Sequence, residues 1–251
     1  MTMELIVLGS GTAIPRPKRS PAGYAVQVGQ ETLLFDSGPG TLGRLAQAGL
    51  DYAAINYVFY THFHADHTAD LIALLAAAVI PGYERLSDLA ITGPRGMRDF
   101  VACLLQLYPS LEPAARYNLL IREMSQGYAD YGDWQVLTKP LPHTANSIGY
   151  RLTAEGKTIV YSGDTEYCQN IIELAQNADL LVLECSYPDG QGRPGHLTPR
   201  ECGAIATTAQ ARCLLLTHFY PECEGVDIVA QCRAAYSGEV IVAEDLLRIA
   251  V

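Results

Sequence analysis

The sequence predicts a layered α/β sandwich, and three observations predict it. Short β-type runs meander through the N-terminal part, strands alternate with helical segments in the second half, and several strands end abruptly in residues able to bind metal or move protons. Taken in order, MELIVLG, AGYAVQVG and ETLLFDSG are short strands separated by Gly and Ser turns. TLGRLAQAG reads as a helix with Gly49 at its C-cap. INYVFY is a buried strand running into THFHADH at 61–67, and TADLIALLAAAVI is a largely apolar helix. A strand LAITGP and a helix near RGMRDFVACLLQLY follow, then a stretch from Pro109 to about Gly132 that reads as irregular. Four apolar runs close the pattern: WQVLTKPLPH ends at His143, KTIVYSGD at Asp164, DLLVLE at Glu184 and RCLLLTH at His218. The helical segments EYCQNIIELAQNA and TPRECGAIATTAQA lie between strands. One strand ending in Asp or His is unremarkable. Four of them, together with THFHADH, imply strand ends that converge at one edge of a sheet system.

Length and composition narrow the class. A chain of 251 residues with 49% hydrophobic and 18% charged residues builds a substantial core, and no linker or repeat divides it, so a single domain over 1–251 is expected. Acidic residues outnumber basic ones 27 to 17, giving a formal charge of −10 and a pI near 5.0. That balance argues against broad binding to nucleic acid or anionic membrane, while leaving room for a local anion site. The basic RPKR run at 16–19 is equally a phosphate contact or a solvated loop. The seven cysteines form no CxxC pair and are odd in number, which suits reduced thiols in a cytoplasmic protein. The opening MTMELIVLGSGTAIPRPKRS reads as a first strand and loop, not a signal peptide, and LIALLAAAVI is too short to span a bilayer. No membrane partner is expected.

The chemistry concentrates in THFHADH. An isolated histidine such as His143 is more often structural than a ligand. HxHxDH differs, because neutral imidazoles beside a carboxylate suit a borderline cation such as zinc. Its spacing cannot fall on one helical face, yet a turn leaving a strand can aim several side chains into one pocket. Four such groups strain a single tetrahedral ion, so two neighbouring ions bridged by a carboxylate are expected, with Asp164, His143 and His218 available to complete them. Two cations about 3.5–4 Å apart clamp a transferring oxygen and bring the pKa of a bridging water toward neutrality, which provides a hydroxide nucleophile.

THFHADH, followed by LPHTANSIGY, VYSGDT and LLTHF, resembles the metallo-β-lactamase superfamily. Within it the chain is similar to the ribonuclease Z branch over nearly its full length, through GSGTAIPRPKRS, FDSGPGT, ITGPRG, SIGYRL, LECSY, GHLTP and AEDLLRI. The resemblance implies a four-layer αββα sandwich with the metals at its edge. It implies that His62, His64 and His143 hold one ion, that Asp66, His67 and His218 hold the other, and that Asp164 bridges. The expected cofactors are two divalent ions, zinc first, with manganese or iron as alternatives. It also implies catalytic roles for a Glu184–His196 pair, the carboxylate orienting an imidazole that protonates the leaving group, and for Asp66 in orienting the attacking water. Relatives often dimerise, so a homodimer is implied by analogy.

The sequence departs from that branch in two places. Where the branch has a HEAT-like segment, LECS keeps only the glutamate. Only twenty residues separate His143 from Asp164, where tRNA-processing members often insert a long arm that grips the tRNA; SIGYRLTAEGKTIVYSG has room for a hairpin. The expected substrate is therefore a small phosphodiester or an RNA 3′ end, cleaved by a binuclear metal-dependent hydrolase. A hydrolase of carboxylic or sulfate esters on the same scaffold, or a metal-binding protein without turnover, are the alternatives.

Overall fold

Two seven-stranded mixed sheets lie face to face, and helices cover the outer side of each. The computed structural model describes residues 3–113 and 116–251. In chain order the first half holds β1 (Glu4–Gly9), β2 (Gly23–Val28), β3 (Glu31–Ser37), α1 (Thr41–Gln47), β4 (Ile55–Phe59), α2 (Ala65–Thr68), α3 (Asp70–Ala78), β5 (Leu89–Gly93), α4 (Met97–Leu107) and β6 (Leu119–Glu123). The second holds β7 (Gly127–Asp130), β8 (Trp134–Pro140), β9 (Ile148–Ala154), β10 (Lys157–Tyr161), α5 (Gln169–Leu174), β11 (Leu180–Glu184), α6 (Pro199–Thr208), β12 (Cys213–Thr217), α7 (Ile228–Arg233), β13 (Glu239–Val242) and β14 (Arg248–Ala250). The sheet orders are β14-β1-β2-β3-β4-β5-β6 and β13-β12-β11-β10-β9-β8-β7. This is the αββα sandwich that the resemblance implies.

Sequence periodicity explains the layers. In β1, Leu5 and Val7 enter the core between the sheets, whereas Ile6 and Leu8 face the helices. In β11, Leu180 and Val182 face the first sheet while Leu181 and Leu183 pack under α5 and α6. A strand buried on both faces has no reason to alternate with polar residues, so it reads as a continuous apolar run. Between the sheets an aromatic cluster fills the space. Phe35 and Phe59 stack at 4.9 Å, and Trp134 meets Tyr57 edge-on at 4.9 Å.

Strand direction then places the chemistry. β3 and β4 run parallel, as do β10, β11 and β12, so their C-terminal ends share an edge within each sheet. β8 is antiparallel to β9, and β9 to β10; β8 therefore points the same way as β10 and delivers His143 to that edge. The interval between His143 and Asp164 holds only the β9–β10 hairpin, turning at Glu155 and Gly156 with positive φ of 53° and 75°. No inserted arm is present.

Two expectations need correction. The stretch from Pro109 to Gly132 is not irregular: it contains β6 and β7, the edge strands of the two sheets, with residues 114 and 115 outside the described set. Both strands are short and half-exposed, so neither LLIRE nor GYAD carries a clear period. The helix after THFHADH is also interrupted, ending as α2 at Thr68 and resuming as α3 at Asp70.

Trp134 is 3% exposed and joins the sheets through three aromatic neighbours. Trp134→Ala is expected to cost about 3–5 kcal/mol, read as a lowered midpoint in urea denaturation with little change in slope.

Candidate metal centre

β4 stops at Phe59, and Tyr60 and Thr61 carry the chain to a fully buried His62. His64 sits at the N-cap of α2 and is exposed at the rim, while Asp66 and His67 lie buried in the first turn of that helix. The segment from β3 must come very close to this turn. A Cβ on Gly38 would stand 2.0 Å from the Asp66 carbonyl oxygen, so only glycine permits the approach. Asp36 and His218 adopt left-handed backbone, φ 54° and 59°, Asp36 at an irregularity in the pairing of β3 with β2 and His218 just after β12.

The donor atoms fall into two groups. His62, His64, His143 and Asp164 offer ligand atoms within 4.8 Å of one another, and so do Asp66, His67 and His218. Asp164 faces both. Its Oδ2 lies 3.5 Å from His143 Nε2 and 3.9 Å from His62 Nε2, while its Oδ1 lies 3.3 Å from His67 Nε2 and 3.4 Å from His218 Nε2. His62 Nε2 and Asp164 Oδ1 are buried without a hydrogen-bond partner. Buried polar atoms are otherwise almost always satisfied, so orphans at the centre of a histidine cluster fit a cation.

The other ring nitrogens say the same. His67 Nδ1 donates to Asp36 Oδ2 at 2.7 Å, and His143 Nδ1 donates to the Gly195 carbonyl at 2.8 Å, since neither partner has a proton to give. Each ring is thus held by Nδ1 with Nε2 turned toward the cluster. His143 Nε2 lies 3.1 Å from His64 Nδ1, and His67 Nε2 lies 3.4 Å from His218 Nε2. Imidazoles of defined tautomer converging on one point are the usual arrangement around a divalent ion.

Electrostatics favour positive charge here. Burial penalises a charged His67, but the carboxylates of Asp164 and Asp36 outweigh it and hold this imidazole well above the usual range. Burial would raise Asp164, but His218 and His67 draw it well below the carboxylate range; Asp66 is lowered likewise, against burial, by its His218 hydrogen bond. Burial, then His67, push His62 well below. A cation in place of the protons satisfies both carboxylates and leaves every imidazole neutral.

Glu184 and His196 also meet. His196 Nδ1 lies 3.0 Å from Glu184 Oε1, and its ring is grouped with Asp164 and His218. Burial lowers its pKa, but the Glu184 hydrogen bond more than offsets this and raises it. Ser186 Oγ donates to the same glutamate and lies 3.0 Å from His218 Nδ1, linking the pair to the histidine cluster.

Asp36 went unnoticed in the sequence although FDSG lay in view. Its carboxylate accepts from His67, from Thr61 N–H at 2.8 Å and from Tyr161 OH at 2.7 Å. Tyrosine usage takes on meaning here as well. Tyr24, Tyr60, Tyr150 and Tyr161 are buried with their hydroxyls bonded to Thr217, Ser37, the Tyr60 carbonyl and Asp36, bracing the strand ends from below.

A family model described as the beta-lactamase superfamily domain matches residues 31–219. The chain belongs to this superfamily. It is 25% identical to a ribonuclease Z of Methanothermobacter thermautotrophicus, covering 99% of this chain and 97% of that protein. That alignment runs over 303 positions, so the relative carries segments this chain lacks. The metallo-beta-lactamase fold protein YhfI of Bacillus subtilis is similar in structure, with TM-score 0.86, 25% identity and full coverage of both chains. The short form of human tRNase Z is similar too, with TM-score 0.81, 25% identity and 98% coverage of each.

Asp36→Asn keeps the size of the side chain but removes the charge that orients and polarises His67. It is expected to weaken divalent-metal binding at the His67 group by about 10–100-fold, as read by competitive metal titration.

Proposed function

We propose that this metal-dependent hydrolase is a binuclear phosphodiesterase. The observation that carries the reading is Asp164, which presents one oxygen to the His62–His143 side and the other to the His67–His218 side. His62, His64 and His143 would hold one ion, Asp66, His67 and His218 the other, with Asp164 shared; zinc suits this nitrogen and oxygen set, as do manganese and iron. When bound, such a pair of cations activates water and neutralises charge on the phosphoryl group.

The chain's own residues supply the remainder. Asp36, Gly195, Thr61 and Ser186 hold four of the imidazoles by their far nitrogens, which leaves the near ones facing the place where a cation would displace any proton they carry. Asp66, with one oxygen 3.5 Å from His218, is placed to orient the attacking water as well as to bind. Glu184 fixes the orientation of His196 and favours its protonated form, so that its Nε2 would deliver a proton to the departing alkoxide. The ribonuclease Z relatives support a phosphodiester. A hairpin in place of an arm supports a small phosphodiester or an RNA 3′ end without a grip on the tRNA body. The seven free cysteines suit a reducing compartment, the cytoplasm, and no helix among the described residues is long and apolar enough to cross a membrane. The homodimer of the analogy belongs to this proposal; Tyr83, Leu86 and Leu107 leave large apolar side chains exposed after α3 and at the end of α4. Sedimentation velocity is expected to give twice the chain mass, and a monomer at all concentrations rejects it.

Turnover of bis(p-nitrophenyl) phosphate should vanish on chelation and return with metal. His196→Ala should keep its metal and lose about 10²–10⁴-fold in rate on a dinucleotide, whose alkoxide needs a proton. On the nitrophenyl ester the loss should be much smaller, because nitrophenolate departs unaided. Equal losses on both substrates would count against the acid role. Carboxylic-ester or sulfate-ester hydrolysis without phosphodiester turnover would move the reading to that alternative, and a tRNA precursor in the panel tests the RNA arm.

A further inference from the structure

Beyond His218 the chain enters a cavity that the mechanism leaves unused. Its volume is about 300 Å³, and Arg16, Arg19, Phe219, Tyr220, Glu224 and Ile228 are among its walls. A second cavity of about 570 Å³ adjoins it through Arg16, Arg19 and Glu224 and adds Lys18, Glu244 and Asp245. The smaller volume is at the low end of those that bury a small ligand, enough for one nucleotide unit and far too small for a duplex.

Tyr220 belongs to both the cavity and the metal centre. Its ring is edge-on to His196 at 5.8 Å and to His218 at 5.9 Å, and it is half-buried. Tyr187 stacks against it at 4.8 Å and is itself covered by the Arg193 guanidinium at 4.5 Å, so Tyr220 is braced from one side. The two arginines differ. Arg19 is fixed, donating to Ser10 Oγ at 2.7 Å and to the Ala243 carbonyl at 2.6 Å while lying 4.7 Å over the Phe219 ring. Arg16 is tied to Glu224 in a pair whose glutamate is largely in solvent, and such pairs are weak enough to exchange partners.

We propose that this cavity receives the leaving arm of the substrate, a nucleoside 5′-phosphate unit joined through its 3′ oxygen. The inference rests on the phosphodiesterase reading. His196 donates to the leaving oxygen, so whatever that oxygen carries extends toward the neighbouring Tyr220. The base packs on Tyr220, as flat rings do on aromatic side chains irrespective of sequence. The 5′-phosphate reaches Arg16, which releases Glu224 and takes the phosphate in a charge-assisted, two-pronged contact.

The product of that arm, 5′-AMP, serves as the probe in calorimetric titration of the metal-replete protein, beside ribose 5-phosphate and adenosine. 5′-AMP should bind at least about tenfold tighter than either fragment. Tyr220→Ala should weaken 5′-AMP about tenfold and leave ribose 5-phosphate unchanged, while Tyr220→Phe behaves as the parent. Arg16→Ala should weaken both phosphates and spare adenosine. Ribose 5-phosphate binding as tightly as 5′-AMP, or Tyr220→Ala weakening all three ligands equally, overturns the proposal. Bis(p-nitrophenyl) phosphate is assayed on the same preparation. Turnover without any preference for 5′-AMP removes the cavity assignment alone, whereas a metal-loaded protein inert to every phosphodiester removes the parent reading and this one with it.

Discussion

One buried carboxylate organises the edge of this molecule. Asp164 leaves β10 and offers an oxygen to each of two sets of imidazoles, with neither oxygen reaching bulk water. An ionised carboxylate in such a place is costly unless positive charge lies against it on both sides. Everything near it serves that demand. Gly163, with φ 60°, allows β10 to turn where a Cβ would strike Thr61, and the outer hydrogen bonds of His67 and His143 turn their Nε2 atoms inward. A single misplaced strand end would leave a charge stranded, so register in both sheets is constrained from the site as well as from the core.

The fold explains how seven side chains from distant segments meet without a dedicated loop. Parallel strands bring their C-terminal ends to one edge, and two sheets packed face to face bring two such edges together. The aromatic layer between the sheets sets their separation, and its tyrosine hydroxyls reach the polar edge. Tyr161 bonds Asp36, which bonds His67 and Thr61. Core packing and site geometry are thereby joined through one hydrogen-bonded chain running from the inter-sheet core to the histidines.

What could be read in the sequence follows from how local each signal is. THFHADH declares itself because four donors lie within seven residues, and the apolar runs before His143, Asp164, Glu184 and His218 declare themselves because strands buried on both faces are continuous. Asp36 and Ser186 do not. Each is a lone polar residue at a strand end, and its importance lies in a partner 31 or 32 positions away. The segment holding β6 and β7 was illegible for a different reason: edge strands bury one face weakly, so β6 and β7 have no period to reveal.

The interval between His143 and Asp164 sets how much surface stands beside the site. The ribonuclease Z relative that aligns over 303 positions carries segments that this chain lacks. Here the interval is closed by a two-residue turn, and the net charge of −10 repels a polyanion at long range. Around the aromatic side chains that follow His218 the charges are mixed: Arg16, Lys18 and Arg19 share the cavity walls with Glu224, Asp227, Glu244 and Asp245, and Arg193 over Tyr187 is paired with Glu222. Such interleaved charges screen one another within about 8 Å, so the field beside the histidines is set by individual side chains and not by the net charge of the chain.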